Sequence, residues 1–159
     1  MVTSQKILNL EKGVEIISDW KKNGLKIVFT NGCFDILHLG HLDYLEKSRD
    51  LGDKLVIGLN TDRSVKLLKG PGRPINTEYA RARMLAALAF VDAVIAFDEE
   101  TPHELIIQVK PDILVKGNDY NIDNIVGSDF VLGNGGEVKT IQLLEGYSTT
   151  GLIEKIKKY

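Results

Sequence analysis

Short apolar runs recur along this chain at residues 25–30, 54–60, 91–97, 112–116 and 137–144, with helical patterns between most of them. Runs of this length read as buried strands, and strands that alternate with helices join in parallel through crossovers packed on the sheet. The order therefore predicts an α/β fold, a single Rossmann-like domain whose parallel sheet is flanked by helices on both faces. An opening helical segment ends near Asn23-Gly24. A later helix is expected to start at Thr101, where Thr101 and Glu104 have capping-box spacing and Pro102 takes the first helical position. A chain of 159 residues is long enough for one such domain over residues 1–159, burying roughly 70% of its unfolded surface. No internal repeat, low-complexity tract or linker divides it.

Ligands of open parallel sheets bind beyond the carboxyl ends of the strands. At the first of those ends stands Thr30-Asn31-Gly32-Cys33-Phe34-Asp35-Ile36-Leu37-His38-Leu39-Gly40-His41. Leu42, Leu45 and Leu51 follow at helical spacing until Gly52, so His38 and His41 fall at a helix N-terminus. Unpaired N–H groups and the positive end of the helix dipole suit an anion there, phosphate above all, and Gly40 lets it approach the backbone. A metal site is the competing reading of two histidines three apart. The remaining candidate ligands, His103, Cys33 and Asp35, are few for a closed zinc site, which takes four.

Three further patches fall at or after strand ends. Val65-Lys66-Leu67-Leu68-Lys69-Gly70-Pro71-Gly72-Arg73-Pro74 joins three cations to glycines and prolines, and reads as a basic loop able to neutralise phosphate oxygens or as solvated surface. Glu145-Gly146-Tyr147-Ser148-Thr149-Thr150 precedes a terminal helix pattern of Leu152, Ile153 and Ile156. Its hydroxyls either cap that helix or hold phosphate. Val115-Lys116-Gly117-Asn118-Asp119-Tyr120 places a cation and a glycine at another strand end. His38, Asn60, Phe97 and Lys116 are thereby expected around one cleft.

Composition removes several classes of function. A net charge of -2 argues against a nucleic-acid binder, one cysteine excludes an intramolecular disulfide and suits a reducing compartment, and no N-terminal apolar run reads as a signal peptide or membrane span. The expectation is a cytoplasmic protein acting without nucleic acid or membrane. Neither Gly-x-Gly-x-x-Gly after the first strand nor Gly-x-x-x-x-Gly-Lys is present, so dehydrogenases and P-loop enzymes lose support.

Together the patches resemble the nucleotidyltransferase superfamily, whose signature is His-x-Gly-His after the first strand and a Ser/Thr-rich segment before a late helix. Here these are His38-Leu39-Gly40-His41 and Ser148-Thr149-Thr150. Phe29-Thr30-Asn31-Gly32-Cys33-Phe34-Asp35, Leu68-Lys69-Gly70-Pro71-Gly72-Arg73-Pro74-Ile75 and Val115-Lys116-Gly117-x-Asp119-Tyr120 look more narrowly like the heptose 1-phosphate adenylyltransferases of ADP-heptose and lipopolysaccharide synthesis. The similarity runs from about Leu25 to the C-terminus, and Asn118 departs from it where the family usually has glycine.

The resemblance implies transfer of AMP from ATP to a sugar 1-phosphate, with Mg²⁺ bridging phosphate oxygens. It implies catalytic roles for His38, His41 and Lys69. It implies nucleotide binding by Asn31, Gly32, Cys33, Phe34, His38, Gly40, His41, Lys116, Ser148, Thr149 and Thr150. Substrate contacts are implied for Asp35, Lys69, Arg81 and Asp119, although Arg81 also reads as a helix-surface cation. A separate upstream sugar kinase and a homo-oligomer are the implied partners. The rivals are a cytidylyltransferase acting on a polyol phosphate such as glycerol 3-phosphate and a nucleotide-binding regulatory module without turnover.

Overall fold

The computed structural model describes residues 2–118 and 124–159. After a 3-10 turn at Thr3–Lys6 come β1 (Ile7–Leu8), α1 (Leu10–Lys22), β2 (Ile27–Gly32), α2 (Leu39–Arg49), β3 (Lys54–Asn60) and α3 (Asp62–Lys69). There follow α4 (Glu78–Ala87), β4 (Ala93–Phe97), α5 (His103–Val109), β5 (Ile113–Gly117), α6 (Ser128–Gly133), β6 (Glu137–Ile141) and α7 (Thr149–Ile156). The strands form one parallel sheet in the order β1-β4-β3-β2-β5-β6. From β2 the chain steps outward through β3 and β4, then returns to the other side of β2 as β5. The crevice between the carboxyl ends of β2 and β5 is thus the switch point at which such sheets bind ligands.

Strand alternation builds a core on each face. Ile27, Phe29, Val56, Ile95 and Leu114 pack with Ile17 of α1 and with Leu105 and Ile106 of α5. Val28, Leu55, Ile57, Val94 and Ile113 pack on the other face with Leu45 of α2 and Leu85 of α4. With apolar residues on both faces, the strands read as continuous hydrophobic runs, which is why they were legible in the sequence.

The departures have physical causes. β2 begins two residues later than the apolar run and continues through Asn31 and Gly32, which pair with Gly58 and Leu59 of β3, so these residues belong to the strand and not to the turn. The two-residue β1, paired to β4, is too short for any periodic signal. No capping box forms at Thr101: α5 begins at His103 with Pro102 at the N-cap and no side-chain cap bond. The basic patch is half helix, since Thr61 caps α3 by accepting from the Ser64 N–H and α3 runs on to Lys69, where Gly70 at φ +96° ends it.

Gly58, in the middle of β3, exists to let the sheet close. A Cβ there would lie 2.8 Å from Phe29 and 3.1 Å from both Asn31 and Leu105. Overpacking of this kind in a dense core costs about 1 to 3 kcal/mol. Gly58→Ala is expected to lower unfolding free energy by that amount, read from the urea midpoint with m unchanged.

Candidate active site

Past the end of β2, Phe34 turns the chain with a left-handed φ of +45° while remaining almost fully buried. That conformation is costly for an aromatic residue and is held only by its surroundings. The turn delivers the chain to His38, the N-cap of α2. A spacing of three on the first helical turn brings His38 and His41 to one side, and their rings stack with centroids 3.8 Å apart and planes 19° off parallel. The Phe34 edge meets His41 at 5.3 Å, and Tyr147 lies 6.4 Å from His38 on nearly parallel planes. Gly40 is required by packing: a Cβ there would come within 3.1 Å of both His38 Nδ1 and Tyr147.

Burial pushes the His41 imidazole down to about 4; the adjacent His38 adds to this, and a hydrogen bond with the Ile36 backbone opposes it. Burial also holds His38 below its ordinary value. Both rings are therefore neutral at pH 7, and a neutral ring carries one N–H and one acceptor nitrogen. Both Nδ1 atoms are buried without a hydrogen-bond partner among the described residues. Buried ring nitrogens left open in this way, at the start of a helix, are groups prepared for a ligand. In-plane lone pairs of stacked rings lie side by side and do not converge on one point. Among the described residues, no group of three or more His, Cys, Asp or Glu side chains is gathered closely enough to hold a metal ion.

The histidines face two adjoining cavities of about 430 and 460 Å³. Asn31, Gly32, Cys33, Phe34, His41, Lys69, Lys116 and Thr149 line both. The first chamber adds His38, Gly40, Tyr44, Gly117, Leu143, Leu144, Tyr147 and Ser148, with no acidic side chain among the described residues. The second adds Asp35, Asn60, Leu68, Arg73, Glu100 and Thr150. Lys116 Nζ donates to Asn31 Oδ1 at 2.5 Å, tying the ends of β5 and β2 across the switch point. Ser148 Oγ accepts from the Gly151 N–H at 3.0 Å, so it caps α7 while also lining the first chamber. Asn118 has a task of its own, accepting from the Leu143 N–H at 3.3 Å and holding the segment that leads to Tyr147.

Two of the expected substrate contacts are placed differently. Asp35 is buried beneath the second chamber, where its carboxylate accepts from Arg73 Nε at 2.5 Å, from the Ile75 N–H at 2.8 Å and from the Asn76 N–H at 2.9 Å. Burial pushes its carboxyl up, but the two backbone donors and Arg73 together outweigh this and hold it below the usual range. Arg81 has no exposed surface at all, so it is neither a helix-surface cation nor a lining residue. It donates to the Cys33, Asn60 and Asn76 carbonyls and to Asp62.

Phe97 sits in the core, and His103 is on the start of α5 beside Glu104. Asp119 and Tyr120 lie outside the described residues. Pattern reading assigned no role to Tyr44, Arg73, Tyr147 or Glu100, all of which line the chambers. Tyr147 and Arg73 stood inside patches singled out for other residues, whereas Tyr44 and Glu100 carried no local signal.

The histidine environment has a direct spectroscopic consequence. In proton NMR titrations of the free protein, His41 is expected to show no midpoint above pH 6. Adding nucleotide should move its midpoint upward, because N–H donation to an anionic phosphate favours the charged ring. An unshifted His41 in the presence of saturating ATP would remove it from the phosphate contact.

Residues 29–155 match the model of the family described as cytidylyltransferase-like. The chain is 55% identical over 152 residues to the bifunctional protein HldE of Azotobacter vinelandii, covering 96% of this chain and 32% of that protein. It is also 55% identical over 153 residues to the bifunctional protein HldE of Magnetococcus marinus, with 96% and 31% covered. The chain thus spans about one third of the length of the curated relatives it matches. A lipopolysaccharide core biosynthesis protein from Thermoplasma volcanium superposes with a TM-score of 0.63 at 34% identity, over 79% of this chain and all of that one. Pantoate-beta-alanine ligase from Francisella tularensis shares the fold, with a TM-score of 0.63 at 15% identity over 96% of this chain and 78% of that one. A doubly covered parallel sheet, a stacked histidine pair beyond its central strand and a family match across most of its length agree: the chain belongs to the cytidylyltransferase-like family.

Proposed function

We propose that this protein transfers AMP from ATP to a heptose 1-phosphate, releasing pyrophosphate and forming ADP-heptose. The observation that carries the reading is the pair of stacked, neutral histidines at the start of α2, sharing one cleft with Lys69, Lys116 and the Ser148–Thr150 hydroxyls. The motifs that resemble heptose 1-phosphate adenylyltransferases, the 55% identity to bifunctional HldE proteins and the likeness to a lipopolysaccharide core biosynthesis protein of Thermoplasma support the choice of acceptor.

A sugar phosphate is mostly dianionic at pH 7, so its oxygen attacks the α-phosphorus without a side-chain base. The bond from that phosphorus to the bridging oxygen breaks, and pyrophosphate leaves. The protein's contribution is to hold two polyanions in line and stabilise the charge on the equatorial and leaving oxygens. In this reading His38 and His41 donate ring N–H groups to the ATP phosphates. Ser148, Thr149 and Thr150 hold the β and γ groups, and Lys69, exposed at the end of α3, reaches the reacting phosphates. Asp35 has both oxygens engaged and the shared wall presents cations and amides, a donor set that fits a magnesium ion held mainly by substrate phosphates. When bound, magnesium supplies charge neutralisation on those oxygens. A sugar kinase activity supplies the acceptor, and the resemblance adds a homo-oligomer in the cytoplasm.

The family description keeps a cytidylyltransferase with a polyol phosphate acceptor as the second reading. One experiment separates them. Purified protein with Mg²⁺, ATP and a panel of sugar 1-phosphates should yield an ADP-sugar and pyrophosphate by phosphorus NMR. Much faster turnover of CTP with a polyol phosphate would overturn the adenylyl reading.

Variants test the roles. His38→Ala or His41→Ala should cost about 2 to 4 kcal/mol of transition-state stabilisation, the size of losing a preorganised donor, with Asn recovering part of it. Lys69→Gln should lower kcat and kcat/KM together at unchanged stability, as expected for a charge contact made mainly in the transition state. Stoichiometric zinc in the native protein, with Asn no better than Ala, would convert the turn into a metal site.

A further inference from the structure

The two chambers differ in charge. Lys69 and Lys116 line both; among the described residues no carboxylate lines the first, whereas Asp35 and Glu100 line the second. Asp35 has both oxygens taken by Arg73, Ile75 and Asn76 and accepts nothing more. Glu100 is solvent-exposed, lines the second chamber and engages no hydrogen bond or ion pair among the described residues, so its oxygens are uncommitted.

The backbone that carries Glu100 is held from below. Asn60, buried at the end of β3, donates its amide to Ser64 Oγ at 2.9 Å, and buried Ser64 donates to the Glu99 carbonyl at 3.3 Å. One residue earlier, Asp98 is bound by Thr61 Oγ1 and by Arg63 Nε, the latter at 2.7 Å. The segment after β4 is thereby tied to the first turn of α3 at two successive residues. A free carboxylate on an anchored backbone, opposite a wall of cations, matches an acceptor that is anionic at one end and rich in hydroxyl donors at the other.

Resting on the sugar phosphate reading above, we propose that Glu100 determines acceptor specificity by receiving hydroxyl groups of the sugar in the second chamber. A carboxylate only accepts hydrogen bonds, and its two oxygens can take more than one hydroxyl. The acceptor phosphate then lies toward Lys69, Arg73 and Lys116, with the polyol against Glu100.

The test is steady-state kinetics of Glu100→Ala and Glu100→Gln beside wild type, varying the sugar 1-phosphate, ATP and Mg²⁺ in turn. Glu100→Ala should raise the KM for the sugar 1-phosphate roughly ten- to hundred-fold, the effect of losing hydrogen bonds to a charged group. Glu100→Gln should fall between, because its amide oxygen still accepts. The KM for ATP, the Mg²⁺ concentration for half activity and inhibition by inorganic phosphate should stay as in wild type. A sugar phosphate KM within two-fold of wild type, a matching rise in the KM for ATP, or a raised Mg²⁺ requirement in place of the sugar effect would each overturn the proposal. Wild-type protein inactive with every sugar 1-phosphate would overturn the parent reading instead.

Discussion

One guanidinium organises the cleft. Arg81, inside α4 and without exposed surface, donates to the Cys33 carbonyl at 2.7 Å, to the Asn60 carbonyl at 2.8 Å, to the Asn76 carbonyl at 3.1 Å and to Asp62 at 2.8 Å. These groups belong to the turn after β2, the end of β3, the loop before α4 and the start of α3. A buried charge is tolerated only when its donors are met, and the planar fork of arginine meets four acceptors where a lysine ammonium could not reach them all. Because Asp62 is about half exposed, the three carbonyls contribute more to this arrangement than the ion pair does. From Cys33 the chain continues into the Phe34 turn and the histidines. At Asn60 begins the chain of bonds through Ser64 to Glu99, and Asn76 stands beside the backbone donors of Asp35. Both chambers take their shape from this clamp.

The deepest part of the cleft carries little permanent charge. His38 and His41 are held neutral by burial, and their unpaired Nδ1 atoms lie at the positive end of α2. A neutral donor set costs little to desolvate in the empty protein, whereas buried cations would repel one another across 3.8 Å of stacked rings. Cations are confined to positions with solvent or an anchoring partner: Lys69 at the exposed end of α3, Lys116 on Asn31, and Arg73 on Asp35. Charge is concentrated where the ligand arrives, and the interior remains affordable in energy.

Much of the fold was legible because both sheet faces are apolar and the central strands leave continuous hydrophobic runs. The span of β3 over residues 54–60 is the clearest case. Local geometry was legible where it is encoded in adjacent residues, as in the histidine spacing on one helical turn and the Ser148 cap that opens α7. It was not legible at Arg81, a charged helix residue that looks like surface until the loops that cover it are in place. Thr101 misled for a related reason: local capping spacing cannot decide where a helix starts when the preceding segment is tied elsewhere, here through Asp98 and Glu99 to α3.

The sequence by itself determined the class of fold and the strand ends around which the cleft forms, because periodicity and short motifs are properties of neighbouring positions. Only the tertiary structure decided that Asp35 is engaged by the scaffold while Glu100 has no partner among the described residues, although both are carboxylates near strand ends. The reason is that a side chain's role depends on which of its hydrogen-bonding atoms remain uncommitted. Asp35 is satisfied by residues 38 to 41 positions away in the chain, and that pairing exists only once α3, the basic loop and β2 have been folded against one another.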